Sequence, residues 1–385
     1  MLRWYGVVLG ALHALTGAAW FSYKDIARLL TSDDVVCWPL FPACEAVRTH
    51  LTPGSVRRIV ATYMALGVAA SISFARKRTL AAVATLLAAS AMGTCVYFLD
   101  YRLRLNQSYM LAWVVGVFVF ARRKVEALSA LLVAFYVAAG FLKLTPDWLT
   151  GRALYAQPWL VPESLVPASC VYVVVLELVL VWGLLSQRAL VRRAVLAQLA
   201  LFHAVSWPVV GWFYPLLMLG LLSIFVFAEH EHRIVTWAVL RGPSSGSLLR
   251  VIGLFAAMQL VPAFFRGDAA LTGEGRLFAL HMFDARVSCT GGAVIRTPGR
   301  APRTIPLVAA ESDVRSQCDP IVLVSHARRV CKEPWARTEG TVVDVSVDAK
   351  RASDPEAMPL VRIADACNVP LAYSPFHENR WIVAR

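Results

Sequence analysis

The stretch "FYVAAGFLKLTPDWLTG", residues 135–151, ends an apolar run in one lysine, Lys143, and sets Asp147 and Trp148 just behind it. An amine at such a border has two ordinary uses. It can snorkel, its stem along lipid-facing surface and its charge in water, with Trp148 in the interfacial aromatic belt. It can also sit among polar neighbours away from water, where a neutral amine becomes a base. Position alone leaves both open, and snorkelling is the simpler. Three further titratable groups lie deeper in apolar runs: His13, Glu177 in "VVVLELVLVW" and His203 in "LALFHAVSW". Counted at about 1.5 Å per helical residue, they fall near one depth and could meet inside a bundle. A charge at that depth costs about 2.5–3.5 kcal/mol, which makes each a candidate site; a purely structural hydrogen-bonded cluster is the plainer alternative. A rim set follows in "YFLDYRLRLNQSYML", with Asp100, Arg102, Arg104, Asn106, Gln107 and Tyr109.

The elements that must carry these groups are membrane helices. Of 385 residues, 58% are hydrophobic and 16% charged, against about 45–50% and about 25% in soluble domains. The excess falls in runs near 4–22, 57–75, 79–98, 108–121, 125–143, 168–186, 194–210, 211–228 and 247–265, most of them long enough to cross about 30 Å of hydrocarbon. Pro208 marks a point where the seventh could break. Residues 1–265 are therefore expected to form a polytopic all-α membrane bundle of about eight or nine transmembrane helices. The first run lacks a clear small-residue cleavage site and counts as a helix rather than a signal peptide. From 266 to 385 charges recur and strand-like pieces ("DPIVLVS", "TVVDVSV", "RWIVAR") alternate with turns, which predicts a small extracytoplasmic α+β or β-rich domain.

The net charge of +13 is concentrated in short connections: Arg76-Lys77-Arg78, Arg122-Arg123-Lys124, Arg188 with Arg192-Arg193, and Arg233 with Arg241. If nine spans alternate, all of these fall on one side. Basic short loops mark the cytoplasmic side, so the N-terminus is expected inside and the C-terminal domain outside. Membrane lipid is then the partner of the basic patches, and nucleic acid is not. The same topology puts Cys37, Cys44, Cys289, Cys318, Cys331 and Cys367 on the outer face, an even set in an oxidising compartment. A Cys37–Cys44 bridge with two more in the C-terminal domain is one arrangement, but spacing leaves the pairing open. No paired CxxC is present, and no metal is expected. Richness in Ala, Leu, Val and Arg suggests a GC-rich bacterium and hence the cytoplasmic (inner) membrane.

Several stretches together resemble vitamin K-dependent γ-glutamyl carboxylase and its bacterial relatives, the horizontally transferred transmembrane (HTTM) family. The lysine motif of that family resembles "YVAAGFLKLTPDWLTG", 136–151. Its aspartate followed by an asparagine–histidine–tyrosine element resembles Asp100 with "LNQSYML", 105–111, and its FHxxN element resembles "FHAVSWPVVGWFYPLLML", 202–219. "CWPLFPACEAVR", 37–48, and "LTGEGRLFALHMF", 271–283, are similar in look to bacterial members and to the approach to the outer domain. The likeness covers roughly residues 1–285, and the lysine motif is its most specific part.

The resemblance implies that Lys143 deprotonates a reduced vitamin K or menaquinol cofactor, with Asp100, Asn106, Gln107, Tyr109, Trp148 and His203 around it. A secreted peptide or protein would be the substrate. Gln107 stands where the family has histidine and cannot carry charge; Ser206 replaces the asparagine; and the outer domain is short. These departures count against full glutamate carboxylation and leave quinol deprotonation or oxidation. The alternative reading is a non-enzymatic membrane accessory factor for maturation, export or immunity of a secreted peptide. A transporter is disfavoured because the sequence suggests no broken helices.

Overall fold

The computed structural model describes residues 2–231, 235–236, 246–281, 286–307 and 316–384. The connection carrying Arg233 and Arg241 lies outside the described residues, as do Met282 and Phe283. Helices α1 (Leu2–Lys24), α4 (Pro53–Ala75) and α5 (Thr79–Phe98) form one side of a bundle. Between α1 and α4 the chain makes two short helices, α2 (Ile26–Thr31) and α3 (Cys44–Arg48). Then come α6 (Asn106–Phe120), α7 (Lys124–Leu142), the single turn α8 (Pro146–Leu149), α9 (Val166–Leu178), α10 (Ala189–Val205), the single turn α11 (Trp207–Val210), α12 (Phe213–His230) and α13 (Gly246–Leu260).

Among the described residues six helical segments are long and apolar enough to cross a membrane: Leu2–Lys24, Pro53–Ala75, Thr79–Phe98, Lys124–Leu142, Glu163–Leu185 and Phe213–His230. Asn106–Phe120 and Leu248–Phe264 are shorter apolar helices. About eight or nine spans were expected from the hydrophobic runs; the fourth and ninth runs form the two shorter helices. The seventh run becomes α10, whose first turns carry Arg192 and Arg193, and it stops at Ser206. Pro208 lies in the next turn and supplies no N–H to continue the ladder. The expectation of unbroken helices is also corrected, because after Glu177 the sixth segment tightens into a 3-10 coil over Leu180–Leu185.

Small residues set the closest helix contact. A Cβ on Gly10 would lie 2.6 Å from the Gly67 carbonyl oxygen, and one on Gly67 2.7 Å from that of Gly10. Backbone therefore meets backbone where α1 crosses α4, the small-residue packing typical of helices that lack a hydrophobic drive to associate. Buried Leu, Val and Phe side chains from α1, α6, α7, α10 and α12 fill the bundle core.

Beyond α13 and the single turn α14 (Ala269–Thr272), a four-stranded antiparallel sheet has the order β2-β1-β3-β4. Its strands are β1 (Val287–Arg296), β2 (Arg303–Pro306), β3 (Val342–Arg351) and β4 (Met358–Ile363). On β3, Val343, Val345, Val347 and Ala349 are buried in alternation with Asp344, Ser346 and Asp348, the pattern of a sheet with one covered face. The cover is α15 (Pro320–Lys332).

The strand expected at "DPIVLVS" is thus the start of a helix. Asp319 caps it by accepting from the Ile321 N–H at 3.0 Å, and Pro320 fits the first turn. Its apolar run is continuous because Leu323 and Val324 face the sheet, while Ile321 and Val322 face Val36, Trp38 and Tyr101 at the bundle rim. The piece "RWIVAR" contributes only an isolated bridge, Val361 to Ile382. Among the described residues three disulfides close the loop before α4 and the sheet domain: Cys37–Cys44, Cys289–Cys318 and Cys331–Cys367.

Candidate functional site

Lys143 is the residue at which α7 ends, its N–H donating to the Gly140 carbonyl at 3.1 Å. Thr145 and Pro146 start α8 at once, with the Thr145 hydroxyl accepting from the Trp148 N–H at 3.3 Å. The chain therefore turns sharply, and the lysine side chain lies inside the bundle. Lys143 Nζ donates to Glu177 Oε2 at 2.6 Å and to Oε1 at 2.9 Å, and each side chain is only 1% exposed. Snorkelling is excluded by that burial. The ammonium also lies 5.2 Å over the Trp148 ring, whose Nε1–H donates to the Cys170 carbonyl at 3.0 Å.

Close contact between α7 and α9 makes the pair possible. A Cβ on Gly140 would stand 2.7 Å from Leu178 Cδ2 and 3.1 Å from Glu177 Cβ. Two turns before Lys143, Tyr136 is buried and its hydroxyl is 2.7 Å from His203 Nε2. His203 is within electrostatic reach of Lys143 and is walled by Phe202 and Tyr214. Its Nδ1 has no hydrogen-bond partner among the described residues, and neither does Oδ1 of the buried Asp147. The site thus combines a salt-bridged acid and base with a tyrosine–histidine pair. Burying either charge without the other would cost several kcal/mol, which is why the two arrive together.

The three midplane groups do not all meet. Glu177 and His203 lie around Lys143, whereas His13 bonds through Nδ1 to the Tyr63 hydroxyl at 2.9 Å, between α1 and α4. The rim residues also separate. Asp100 is fully buried and accepts from Arg48 at 2.6 Å and Arg102 at 2.8 Å. Asn106 exchanges hydrogen bonds with the His281 backbone at 2.7 and 3.1 Å, and the Tyr109 hydroxyl donates to the Phe278 carbonyl at 2.8 Å. Arg104 donates to the Arg276 carbonyl. Asp100 thus serves an arginine cluster, whereas Asn106 and Tyr109 hold the segment leading into the sheet domain. Gln107 instead lines a cavity of ≈ 770 Å³ with Trp20, Tyr23, Phe213 and His326. Of the six residues expected around a cofactor, Trp148 lies against Lys143, and His203 pairs with Tyr136 two turns before it.

The sequence reading missed a second charged cluster. Asp34 receives Arg102 at 2.6 Å and Arg329 at 2.7 Å, and its Oδ1 is 3.0 Å from His326 Nε2. Burial raises the Asp34 carboxyl, but the His326 contact, Arg102 and Arg329 together outweigh that and hold it well below the usual carboxylate range. This cluster joins the α2–α3 loop and the rim to α15. Among the described residues no group of three or more His, Cys, Asp or Glu could hold a metal ion. Compared with protein-family models, with curated proteins and with solved structures, the chain matches none.

Proposed function

We propose that this chain is an integral membrane enzyme whose Lys143–Glu177 pair takes a proton from a membrane quinol of the reduced vitamin K or menaquinol type. The observation that carries the reading is the two-point bond between a fully buried amine and a fully buried carboxylate. Transfer of one proton along the 2.6 Å bond converts ammonium and carboxylate into amine and carboxylic acid with no change in net charge. A quinol hydroxyl against that amine gives its proton to Nζ. The products are a quinolate and an ammonium, with Glu177 holding the first proton. If the Tyr136 hydroxyl donates to His203 Nε2, the ring proton sits on Nδ1, which has no hydrogen-bond partner among the described residues and would serve as a donor to a bound quinol. The quinol, when bound, supplies the redox chemistry; the surrounding apolar bundle keeps water from the oxyanion. Glutamate carboxylation is left out because Gln107 lacks the titratable ring.

The reading includes a bacterial cytoplasmic membrane, the N-terminus inside and the sheet domain outside. Basic connections at 76–78, 122–124 and 188–193 support that orientation, as do three disulfides in the outer parts. Reconstituted protein supplied with a reduced naphthoquinone and dioxygen as the electron acceptor should speed the quinol's oxidation over protein-free liposomes. Lys143→Ala and Glu177→Gln should each abolish the acceleration, and unchanged turnover in Lys143→Ala would end the reading.

A second reading is favoured by one observation: Asn106 and Tyr109 are spent on docking the outer domain. Under it the chain is a non-enzymatic accessory factor for maturation, export or immunity of a secreted peptide. Loss of residues 266–385 would then abolish function and Lys143→Ala would not.

A further inference from the structure

Between α8 and α9 the chain runs through "QPWLVPESL", residues 157–165, and its tip carries large apolar side chains outward. Leu160 is 93% exposed, and Trp159 and Leu165 are exposed beside it. Leu160 also holds φ +59, a left-handed backbone that side chains other than glycine seldom adopt. Local bonds hold that geometry. The Trp159 N–H donates to the Val205 carbonyl at 2.9 Å, Gln157 Nε2 donates to the Val161 carbonyl at 2.7 Å, and the Trp159 ring stacks on Trp207 with 7° between planes. A water-facing loop has no physical reason to present leucine and tryptophan in a held conformation.

We propose that this tip is inserted into the lipid leaflet at the end of the bundle that bears the sheet domain. Three observations favour lipid over any other occupant. First, the exposed tip continues into an exposed apolar stripe, Val171, Val175, Val179 and Trp182, spaced as one face of a helix. That stripe belongs to Glu163–Leu185, one of the segments long and apolar enough to span. Second, Pro158 and Pro162 bracket the tip and carry no N–H, and the Trp159 N–H is already bonded, so few donors there require water. On the stripe itself, Trp182 Nε1–H donates to its own helix at Leu178, and the Tyr172 hydroxyl donates to Gln198. Third, the exposed Glu163 follows directly, which stops the insertion at headgroup level, where stacked tryptophans are at home. The tip lies at the ends of the two helices that carry Glu177 and His203. The insertion stands independently of any chemistry at that site.

The test uses the full chain in bilayers, with Cys95→Ser removing the exposed free thiol and a nitroxide attached at Leu160→Cys. Val68→Cys on the exposed face of α4 and Arg300→Cys in the β1–β2 connection serve as lipid and water references. Collisions with oxygen should exceed those with a water-soluble nickel complex by a factor matching Val68→Cys. A nickel accessibility equal to that at Arg300→Cys would overturn the insertion. Strong spin–spin broadening at position 160 would overturn it too, since the tip would then pack on a second copy. Leu160→Ala with the label moved to Trp159→Cys gives the same reading if the first variant folds poorly.

Discussion

At the scale of single residues, the Lys143–Glu177 bond is the most consequential contact in the molecule. Removing one partner leaves the other charge buried, which costs about 3–5 kcal/mol. Lys143→Met and Glu177→Leu are each expected to destabilise by that amount in detergent unfolding. The double variant, an apolar pair of similar size, should recover most of the stability and none of the quinol turnover. Equal losses in single and double variants would mean that the pair is not coupled. Asp34 gives a pH prediction of the opposite kind, outside the bundle. Its folded-state carboxyl lies below the unfolded value of about 3.9. Its stabilisation is therefore complete above about pH 4 and is lost as pH falls through the folded value. The stability difference between the natural chain and Asp34→Asn should accordingly shrink as pH falls below about 4. A difference that grows below that pH would contradict the sign.

At the scale of elements, α7 and α9 are positioned by the absence of a side chain at Gly140. Gly140→Ala would force Leu178 and Glu177 outward, given the 2.7 and 3.1 Å clearances. Overpacking of this kind costs about 1–3 kcal/mol, and a displacement near 1 Å at reacting groups lowers rates roughly 100-fold. The variant should stay folded by circular dichroism and lose most of its quinol turnover. A folded, fully active Gly140→Ala would detach the helix contact from the chemistry. The sequence made the helices legible but not this depth relation. Hydropathy put Lys143 at the rim and Glu177 near the midplane, because it assumes that every span ends at one plane. In the fold α7 ends at Leu142, where the apolar run also ends, and the Lys143 side chain is folded inside the bundle onto the Glu177 carboxylate. An unpaired intramembrane glutamate is itself a signal to search for a cation, and Lys143 was the one in reach.

At the scale of the whole molecule, the sheet domain is joined to the bundle by polar and apolar contacts and closed by covalent ones. Arg104, Asn106 and Tyr109 grip the 276–281 segment, and the Asp34 cluster grips α15. Replacing Cys331 and Cys367 with serine should lower stability by about 2–4 kcal/mol and expose the sheet domain to proteolysis, with the bundle fragment left intact on a gel. A small sheet domain near the C-terminus was legible from the recurring charges and strand-like pieces. The helix at "DPIVLVS" was not, because burial against both sheet and rim erases the alternation that separates strands from helices. His13 shows the same limit in another form, since equal depth along the chain says nothing about which helix faces which.

The register of the Lys143–Glu177 pair depends on the pitch of the 3-10 coil that follows Glu177. Six residues, Leu180–Leu185, are wound at a rise of about 2.0 Å each. Rewinding them to α pitch, about 1.5 Å each, would shorten the coil by about 3 Å and swing the carboxylate by roughly a third of a revolution. That travel exceeds the 2.6 Å reach of the lysine bond.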